Sequence, residues 1–214
     1  DCNLVSNIKA IGLCGTEFVL NNQSMLFPLP GKGNLYDSMA AIAVAKQMDC
    51  SLSQIKAGIE SVKPLFGRSQ IISGDISVIQ DCYNANPDSM AQALDFFSSL
   101  EIENGRKIAI SGDMLELGKD SKKEHEKILY LALKSDATYV ICVGKEICDA
   151  TKTVDVNVDE KSKLACFSDV TDNGFNFISS FLNKYIQKGD VVLLKGSRGI
   201  RLERLTPVLC GEDL

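Results

Sequence analysis

From residue 71 onward the sequence alternates between short apolar runs and helical patterns, and this alternation constrains the fold most strongly. Runs that read as strands occur at residues 71–73, 77–81, 107–111, 139–143, 164–167 and 191–194, with helical stretches in most gaps. Such alternation is typical of an α/β fold, with a mostly parallel sheet covered by helices on both faces. Ligands of such sheets bind beyond the carboxyl ends of the strands, so the loops there are the candidate sites.

The first part of the sequence follows a different pattern. Apolar runs within residues 8–29 predict strands, and helices are predicted from about Leu35 to Met48 and from about Ser53 to Val62. Pro64 and the Gly67-Arg68 turn then interrupt the pattern. We therefore predict a domain boundary there, with residues 1–65 and 66–214 forming separate domains.

Charge and hydropathy exclude several classes of protein. The formal net charge is −5, with 23 basic and 28 acidic residues mixed along 214 residues, so no nucleic-acid partner is expected. No apolar run approaches the roughly 18–20 residues of a membrane span, so no membrane insertion is expected and a cytoplasmic location is predicted. The sequence begins at Asp1 and enters strand-like sequence at once, which indicates a piece of a longer protein.

The eight cysteines contain no CxxC pair and lie mostly within apolar stretches. A core of the size predicted here does not need disulfides. Reduced, buried thiols are therefore predicted.

Several catalytic motifs are excluded by inspection. His125 is the only histidine and is followed by Glu-Lys-Ile-Leu, so HExxH is absent, and GSRG lacks the first glycine of GxSxG. None of the Gly-Lys pairs belongs to a GxxxxGK[ST] phosphate loop. His125 shares helical spacing with Ile128 and Leu129, which predicts a buried, supporting side chain rather than a general base. We assign no catalytic residue and no metal site to this chain.

The stretch DCYNANPDSM follows a predicted strand and has two interpretations. Asn86 is a good helix N-cap and Pro87 suits the first helical position. A cap needs one asparagine, yet Asp81, Tyr83 and Asn84 stand beside it, near a helix N-terminus that favours an anion. A capped turn and a ligand-binding loop both remain open.

Two more strand ends carry polar residues. In SGDMLELG, Asp113 and Glu116 would ligate a metal through water, orient an ammonium group or face solvent. In LLKGSRG, Lys195, Ser197 and Arg198 suit a carboxylate or phosphate, and the alternative is a basic loop facing water.

Five segments occur along the chain in the order LPGKGNLYDSMAA, FGR, DCYNANPDSM, GRKIAISGDMLELG with His125 downstream, and LLKGSRG. Together they resemble the carboxyl-terminal half of a Mur ligase over nearly the whole chain. NANPDSM and GDMLELG are similar to the members that add D-Ala-D-Ala to UDP-MurNAc-tripeptide in peptidoglycan biosynthesis. The resemblance implies a Rossmann-like last domain over residues 66–214, preceded by the strand-plus-helix tail of a central ATPase domain over residues 1–65.

The resemblance also implies cofactors and a reaction. ATP, with Mg²⁺, phosphorylates the terminal carboxylate of the tripeptide, and the amine of D-Ala-D-Ala attacks the acyl phosphate to form the peptide bond. Both cofactors need a phosphate-loop part outside this chain, so the chain by itself is expected to be inactive. The intact enzyme is expected to be monomeric.

Residue roles follow from the same resemblance. Arg68 would reach the ATP phosphates and Asp81 the ribose, while the segment with Asn34 and Asp37 would lie near the adenine. Residues implied to bind the amino substrate are Tyr83, Asn84, Asn86, Lys195, Ser197 and Arg198. Residues implied to support them are Asp113, Glu116 and His125.

One segment departs from the family pattern, and two other functions stay open. Where the family has GxHNxxN, this sequence has GKGNLYD, with Gly33 for the histidine and Asp37 for the second asparagine. The first alternative is a sibling amide ligase, either another Mur ligase or a folylpolyglutamate synthetase. The second is a stand-alone module that binds a peptide or a partner protein.

Overall fold

The computed structural model describes residues 5–211 and divides after Leu65 into two compact units. The amino-terminal unit ends at Leu65 and the carboxyl-terminal unit begins at Phe66. Each unit has its own apolar core, as expected of independently packed domains.

The amino-terminal unit is a three-stranded antiparallel sheet with two helices. The strands are β1 (Ser6–Ala10), β2 (Thr16–Leu20) and β3 (Gln23–Phe27), in the order β1-β2-β3. The helices are α1 (Lys32–Gln47) and α2 (Leu52–Glu60). Their shared core contains Phe18, Leu20, Met25, Phe27, Leu35, Ile42, Ile55 and Ile59.

Both helices begin slightly earlier than predicted, for different local reasons. α1 starts after Gly31, whose φ of 93° suits a residue without a side chain. α2 starts after Ser51, which accepts a hydrogen bond from the Gln54 amide, while the Gln54 side chain accepts one from the Ser51 amide. This reciprocal pair is a capping box.

The carboxyl-terminal unit is built on a six-stranded sheet in the order β4-β5-β9-β6-β7-β8. All pairs in it are parallel except β4 with β5, which is antiparallel at one edge. The fold class is therefore confirmed, and most predicted strands lie within one residue of their observed bounds. The strands are β4 (Gln70–Ile72), β5 (Ser77–Asp81), β6 (Lys107–Gly112), β7 (Tyr139–Val143), β8 (Leu164–Phe167) and β9 (Val191–Lys195).

Helices fill the connections between these strands. On one face of the sheet, Val78, Ile110 and Val192 pack with Phe175 and Ile178 of α7. Successive strand residues point to opposite faces, so both faces can be covered. The helices are α3 (Pro87–Ser99), α4 (Ser121–Lys134), α5 (Lys145–Ala150), α6 (Val158–Ser162), α7 (Asp172–Tyr185) and α8 (Thr206–Leu209), with 3-10 turns at Gly118–Asp120, Arg198–Ile200 and Leu202–Leu205.

The prediction of buried thiols is only partly correct. No cysteine within residues 5–211 forms a disulfide, and Cys82, Cys142 and Cys148 are buried. Three others are exposed, namely Cys14, Cys166 and Cys210. The apolar neighbours of Cys166 in sequence misled the prediction, because β8 is an edge strand with only one hydrogen-bonded neighbour. Cys2 lies outside the described residues.

Candidate functional site

Parallel pairing brings the carboxyl ends of three strands together. In the register of the sheet, Asp81 of β5 is opposite Lys195 of β9, and Lys195 is opposite Ser111 of β6. The loops after these strands are the ones that the sequence singled out. The sheet therefore places the polar residues of DCYNANPDSM, SGDMLELG and LLKGSRG along one edge of the carboxyl-terminal unit.

A buried ion pair ties the first and last of these loops together. The Nζ atom of Lys195 lies 3.0 Å from Oδ2 of Asp81 and donates a hydrogen bond of 2.8 Å to the Asn84 carbonyl. The Lys195 side chain is only 4% exposed, and its two contacts join the end of β9 to the end of β5 and the loop that follows it. A buried charge needs such partners, because leaving it unpaired would be costly.

The turn at residues 67–69 is fastened to the same loop. The Ser69 amide donates a hydrogen bond of 3.2 Å to Oδ1 of Asp81, and the Tyr83 amide donates one of 3.0 Å to the Gly67 carbonyl. Asp81 thus holds Lys195 with one oxygen and the turn with the other. This arrangement fixes where Arg68, the central residue of the turn, leaves the backbone.

Two guanidinium groups lie against one aromatic ring. The Cζ atom of Arg68 is 4.5 Å from the centroid of the Tyr83 ring, and that of Arg198 is 5.0 Å from it. Both distances are within the range of cation–π attraction. Arg68 and Arg198 are exposed, and the Tyr83 ring is 40% exposed. The tyrosine therefore gathers two cations at the surface, an arrangement that suits a phosphate or carboxylate ligand.

The asparagines of the loop have distinct local roles. Oδ1 of Asn86 accepts a hydrogen bond of 2.8 Å from the Ser89 amide, and the Asn86 amide donates one of 3.1 Å to Oγ of Ser89. Asn86 is thus the N-cap of α3, with Pro87 at the first helical position, as predicted. Oδ1 of Asn84 accepts from the Ala85 amide at 2.9 Å. Both asparagines are exposed, so their NH₂ groups remain for a ligand.

A buried carboxylate organises the loop after β6. Asp113 accepts hydrogen bonds from the backbone amides of Ile147 at 2.8 Å and Glu146 at 3.2 Å, both in the first turn of α5. Burial raises the pKa of Asp113 above its usual range, and the two amides offset part of that rise. Asp113 is 5% exposed, so its carboxylate is buried and supports the loop through these amides.

His125 is fully buried beside Asp113, as predicted. Its Nδ1 lies 2.8 Å from the Ser121 carbonyl and its Nε2 accepts from the Met114 amide at 2.9 Å. Nδ1 must carry the proton for both bonds to form, so the geometry assigns the neutral tautomer. Its Nε2 is 4.0 Å from Oδ1 of Asp113, beyond hydrogen-bond distance. The histidine therefore fixes the backbone of the loop.

Ser197 joins this loop to the one after β9. Its amide donates a hydrogen bond of 2.9 Å to the Asp113 carbonyl, and its Oγ accepts one of 2.9 Å from the Leu115 amide. The residue is 5% exposed. Ser197 thus contacts the loop that Asp113 and His125 hold, and it positions Arg198, the next residue, at the surface.

Two glycines let these loops approach closely. A Cβ atom on Gly144 would lie 2.4 Å from Cγ of Asp113, and its φ of 125° is a conformation that favours glycine. A Cβ on Gly196 would lie 2.9 Å from Cα of Gly112. Both glycines lie in candidate loops after strands, but sequence reasoning gave them no role, and it missed the Ser69 amide. Glycines directly after strands were the available signal, whereas nothing in the sequence marked Ser69.

The contacts described above involve none of the remaining predicted residues, Asn34, Asp37 and Glu116. Asn34 and Asp37 belong to α1 of the amino-terminal unit, where Nδ2 of Asn34 donates a hydrogen bond of 2.7 Å to the Pro30 carbonyl and Asp37 is exposed. Glu116 is exposed with a φ of 66°, an uncommon conformation for a residue with a side chain.

The polar residues of the carboxyl-terminal unit thus fall into two groups. Exposed side chains that a ligand can reach are those of Arg68, Tyr83, Asn84, Asn86 and Arg198. Buried side chains that hold the loops are those of Asp113, His125, Lys195 and Ser197. Asp81 lies between the groups, since its side chain is 19% exposed.

Residues 67–198, more than half of the chain, match the family described as Mur ligase, glutamate ligase domain. The chain belongs to the Mur ligase family. The match begins at the turn that carries Arg68 and ends at Arg198 itself. The six-stranded sheet of this Mur ligase chain and the loops at its edge therefore lie within the matched region or directly beside it.

Relatives of this Mur ligase chain include ligases of one type. It is 36% identical over 206 residues to a UDP-N-acetylmuramoyl-tripeptide--D-alanyl-D-alanine ligase of Treponema pallidum, covering 96% of this chain and 43% of the relative. A crystal structure of MurF from Acinetobacter baumannii is similar with a TM-score of 0.80 and 25% identity, over 97% of this chain and 45% of that one. A MurF ligase of Thermotoga maritima in complex with ADP shares the fold, with a TM-score of 0.74 and 23% identity, over 97% and 46% of the two chains.

This Mur ligase chain spans less than half the length of these relatives. Across residues 5–211, no helix is both long and apolar enough to cross a membrane. Within the same residues, the His, Cys, Asp and Glu side chains form no group of three that is placed to hold a metal ion.

Proposed function

We propose that this chain is the carboxyl-terminal part of an ATP-dependent ligase that joins D-Ala-D-Ala to UDP-MurNAc-tripeptide in peptidoglycan biosynthesis. The observation that carries the proposal is the match of 96% of the chain, at 36% identity, to a relative with this name. On this proposal, residues 1–65 are the tail of a central ATPase domain and residues 66–214 are the carboxyl-terminal Mur ligase domain. A cytoplasmic location and a monomeric intact enzyme remain predictions.

The surface of the carboxyl-terminal unit fits ligands of this kind. ATP and the tripeptide carboxylate are anionic, and Arg68 and Arg198 present two guanidinium groups on one ring. Fixed cations offset the negative charge that is shared among oxygens during phosphoryl transfer. ATP, when bound, supplies the phosphoryl group that activates the carboxylate for attack by an amine. Mg²⁺ and the ATP phosphates would be held by a phosphate-loop part outside this chain, as the resemblance implies.

The dipeptide would meet the polar rim of the same edge. We propose that Arg198 binds its carboxylate, and that Asn84 and Asn86 contact its polar groups through side-chain NH₂ groups. Lys195 and Ser197 act through their neighbours, because both are buried and already bonded to the loops. Arg68 and Asp81 are assigned to the nucleotide, and Asn34 and Asp37 remain proposed nucleotide contacts of the amino-terminal unit.

The test is turnover by the intact enzyme, expressed from the full coding region. ADP release is measured with UDP-MurNAc-tripeptide and D-Ala-D-Ala together, and with each substrate omitted. We expect ADP release only when both are present, with a product that contains the new peptide bond by mass spectrometry. Turnover with a diamino acid or with glutamate, and none with D-Ala-D-Ala, would replace this proposal with a sibling amide ligase.

A binding module is the second candidate, and one observation favours it. GKGNLYD departs from the family pattern in a segment implied to contact adenine, and its Asp37 is exposed in α1. A module that has lost nucleotide binding would release no ADP with any amine but would retain a peptide or a partner protein. Calorimetry with ATP and the intact protein separates this candidate from the ligase.

A further inference from the structure

Leu115 is an exposed apolar side chain among the polar loops of the candidate site, and it has no role among the residues assigned above. In the loops after β5, β6 and β9, which the structure describes in full, two large apolar side chains are exposed, those of Tyr83 and Leu115. The Tyr83 ring already lies against two guanidinium groups, whereas Leu115 is 44% exposed. Exposure alone carries little weight, since single apolar side chains are common on protein surfaces. The anchoring and the neighbours of Leu115 distinguish it.

The backbone of Leu115 is held by two successive hydrogen bonds. The Leu115 amide donates one of 2.9 Å to Oγ of Ser197, and the preceding Met114 amide donates one of 2.9 Å to Nε2 of His125. Both acceptor residues are buried, and so is Met114. The direction in which the Leu115 side chain leaves the backbone is therefore fixed. A residue that discriminates between ligands needs such support.

The Leu115 side chain lies against the backbone of the residue that follows Arg198. A Cβ atom on Gly199 would come within 2.6 Å of Cδ1 of Leu115, so the glycine leaves the space that the leucine fills. Gly199 and Arg198 are both exposed. Adjacent Cα atoms are about 3.8 Å apart, so Leu115 stands directly beside the arginine proposed above to bind the dipeptide carboxylate.

The chemistry of the dipeptide places an apolar group at this distance from its carboxylate. In D-Ala-D-Ala, the methyl group of the second residue is attached to the same carbon as the terminal carboxylate. The methyl group of the first residue is attached to the carbon that bears the attacking amine. An apolar side chain beside the carboxylate-binding arginine therefore meets the second methyl group and not the first.

We infer that Leu115 is a specificity-determining residue that packs against the terminal methyl group of the dipeptide. This inference rests on the proposed function and assigns a contact to a part of the amino substrate that the polar residues do not recognise. Contact with leucine favours a methyl group over a hydrogen atom, because it removes apolar surface of both from water. The enzyme thus reads the carboxylate with Arg198 and the adjoining side chain with Leu115.

The test compares three amino substrates in the intact enzyme by ADP release. D-Ala-Gly lacks only the terminal methyl group of D-Ala-D-Ala, and Gly-D-Ala lacks only the methyl group beside the amine. Leu115→Ala should lower the preference in kcat/KM for D-Ala-D-Ala over D-Ala-Gly by about three- to ten-fold. This is near the lower end for a methyl group in an apolar pocket, because Leu115 covers one side of it. The preference for D-Ala-D-Ala over Gly-D-Ala should stay unchanged.

Three further variants separate apolar contact from other effects of the substitution. Leu115→Gln keeps the length of the side chain but not its apolar end, and should lower the preference over D-Ala-Gly as Leu115→Ala does. Leu115→Met keeps an apolar side chain and should retain most of that preference. Leu26→Ala is the matched control, because Leu26 is a similarly exposed leucine in β3 of the amino-terminal unit. It should leave both preferences unchanged.

The outcomes distinguish this inference from the proposed function. If the unmodified enzyme did not turn over D-Ala-D-Ala, the proposed function would fail and the role of Leu115 with it. Turnover of D-Ala-D-Ala, with an unchanged preference over D-Ala-Gly in both Leu115→Ala and Leu115→Gln, would overturn the role of Leu115 alone. A lowered preference over Gly-D-Ala in place of D-Ala-Gly would also contradict the assignment, since Leu115 would then contact the first methyl group.

Discussion

Tyr83 is the residue on which two loops converge, since Arg68 and Arg198 both lie against its ring. The arginines come from the turn before β4 and the loop after β9, which the chain separates widely. A leucine at this position would keep the apolar volume but lose the attraction between ring and cation. The role proposed for Tyr83 is therefore to position the arginines rather than to bind a ligand by its hydroxyl group.

In the intact enzyme, Tyr83→Leu should raise KM for ATP and for D-Ala-D-Ala by about two- to five-fold each, as loss of an exposed cation–π contact of about 0.5–1 kcal/mol implies. Tyr83→Phe keeps the ring and should leave both values nearly unchanged. Tyr130→Leu is the matched control, because Tyr130 is similarly exposed and lies 5.5 Å from Nζ of Lys134 in α4. A large effect of Tyr83→Phe would assign the role to the hydroxyl group instead.

The same contact has a readout that does not depend on enzyme activity. A ring current shifts the NMR signals of protons held over an aromatic face. The Cδ protons of Arg68 and Arg198 should move toward random-coil shifts in Tyr83→Leu and stay in place in Tyr83→Phe. Unchanged shifts in Tyr83→Leu would show that the arginines do not stack on this ring in solution.

Asn86 is the N-cap of α3 and is also a proposed ligand contact. Asn86→Ala removes the side-chain acceptor of the Ser89 amide and should lower the free energy of unfolding by about 1 kcal/mol. Asn86→Ser keeps a cap and should restore most of that loss. Urea unfolding measures both variants. Their turnover then separates the roles, because a pure cap predicts normal activity for Asn86→Ser, whereas a ligand contact predicts a raised KM for D-Ala-D-Ala.

The loop after β6 should depend on pH through Asp113, whose pKa burial raises. Between its unfolded and folded pKa values, the native state holds this proton more tightly than the unfolded state, so the contribution of Asp113 to stability falls as pH rises. Asp113→Asn has no such proton and loses one acceptor for the Ile147 and Glu146 amides. Its destabilisation relative to the unmodified chain should therefore be largest near about pH 4 and shrink toward about pH 7.

Urea unfolding of both proteins across this range measures the difference directly. Asp75→Asn provides a control carboxyl, since Asp75 pairs with exposed Lys188 at 2.8 Å on the surface. If the destabilisation by Asp113→Asn grew with pH, the hydrogen bonds from the amides, and not burial, would determine the direction of the pKa shift of Asp113.

The chain has two separate apolar cores, one in each unit. Ile42 lies in the core of the amino-terminal unit and Ile110 in that of the carboxyl-terminal unit, and both are fully buried. Ile42→Ala and Ile110→Ala should each cost roughly 2–5 kcal/mol, and each loss should be confined to its own unit. Hydrogen exchange followed by mass spectrometry reports the two units separately. Equal loss of protection in both units from either variant would indicate one cooperative unit.

Much of this molecule follows from local pattern. The alternation of apolar runs predicts the strands of the parallel sheet, because the central strands β6, β7 and β9 are buried and must be mostly apolar. The cap at Asn86 and the burial of His125 follow from local spacing in the same way, and the family follows from the order of five short segments.

Tertiary structure alone decided which polar side chains are exposed and which are buried and hold the loops. Lys195, Ser197 and Asp113 resemble ligand residues in the sequence, yet Lys195 is buried against Asp81, and Ser197 is buried where its amide meets the Asp113 carbonyl. Strand order likewise determines the exposure of a thiol, since Cys166 is exposed because β8 lies at the edge of the sheet. The physical reason is common to both cases: burial and pairing depend on segments far apart in the chain, whereas periodicity and capping depend on neighbours in sequence.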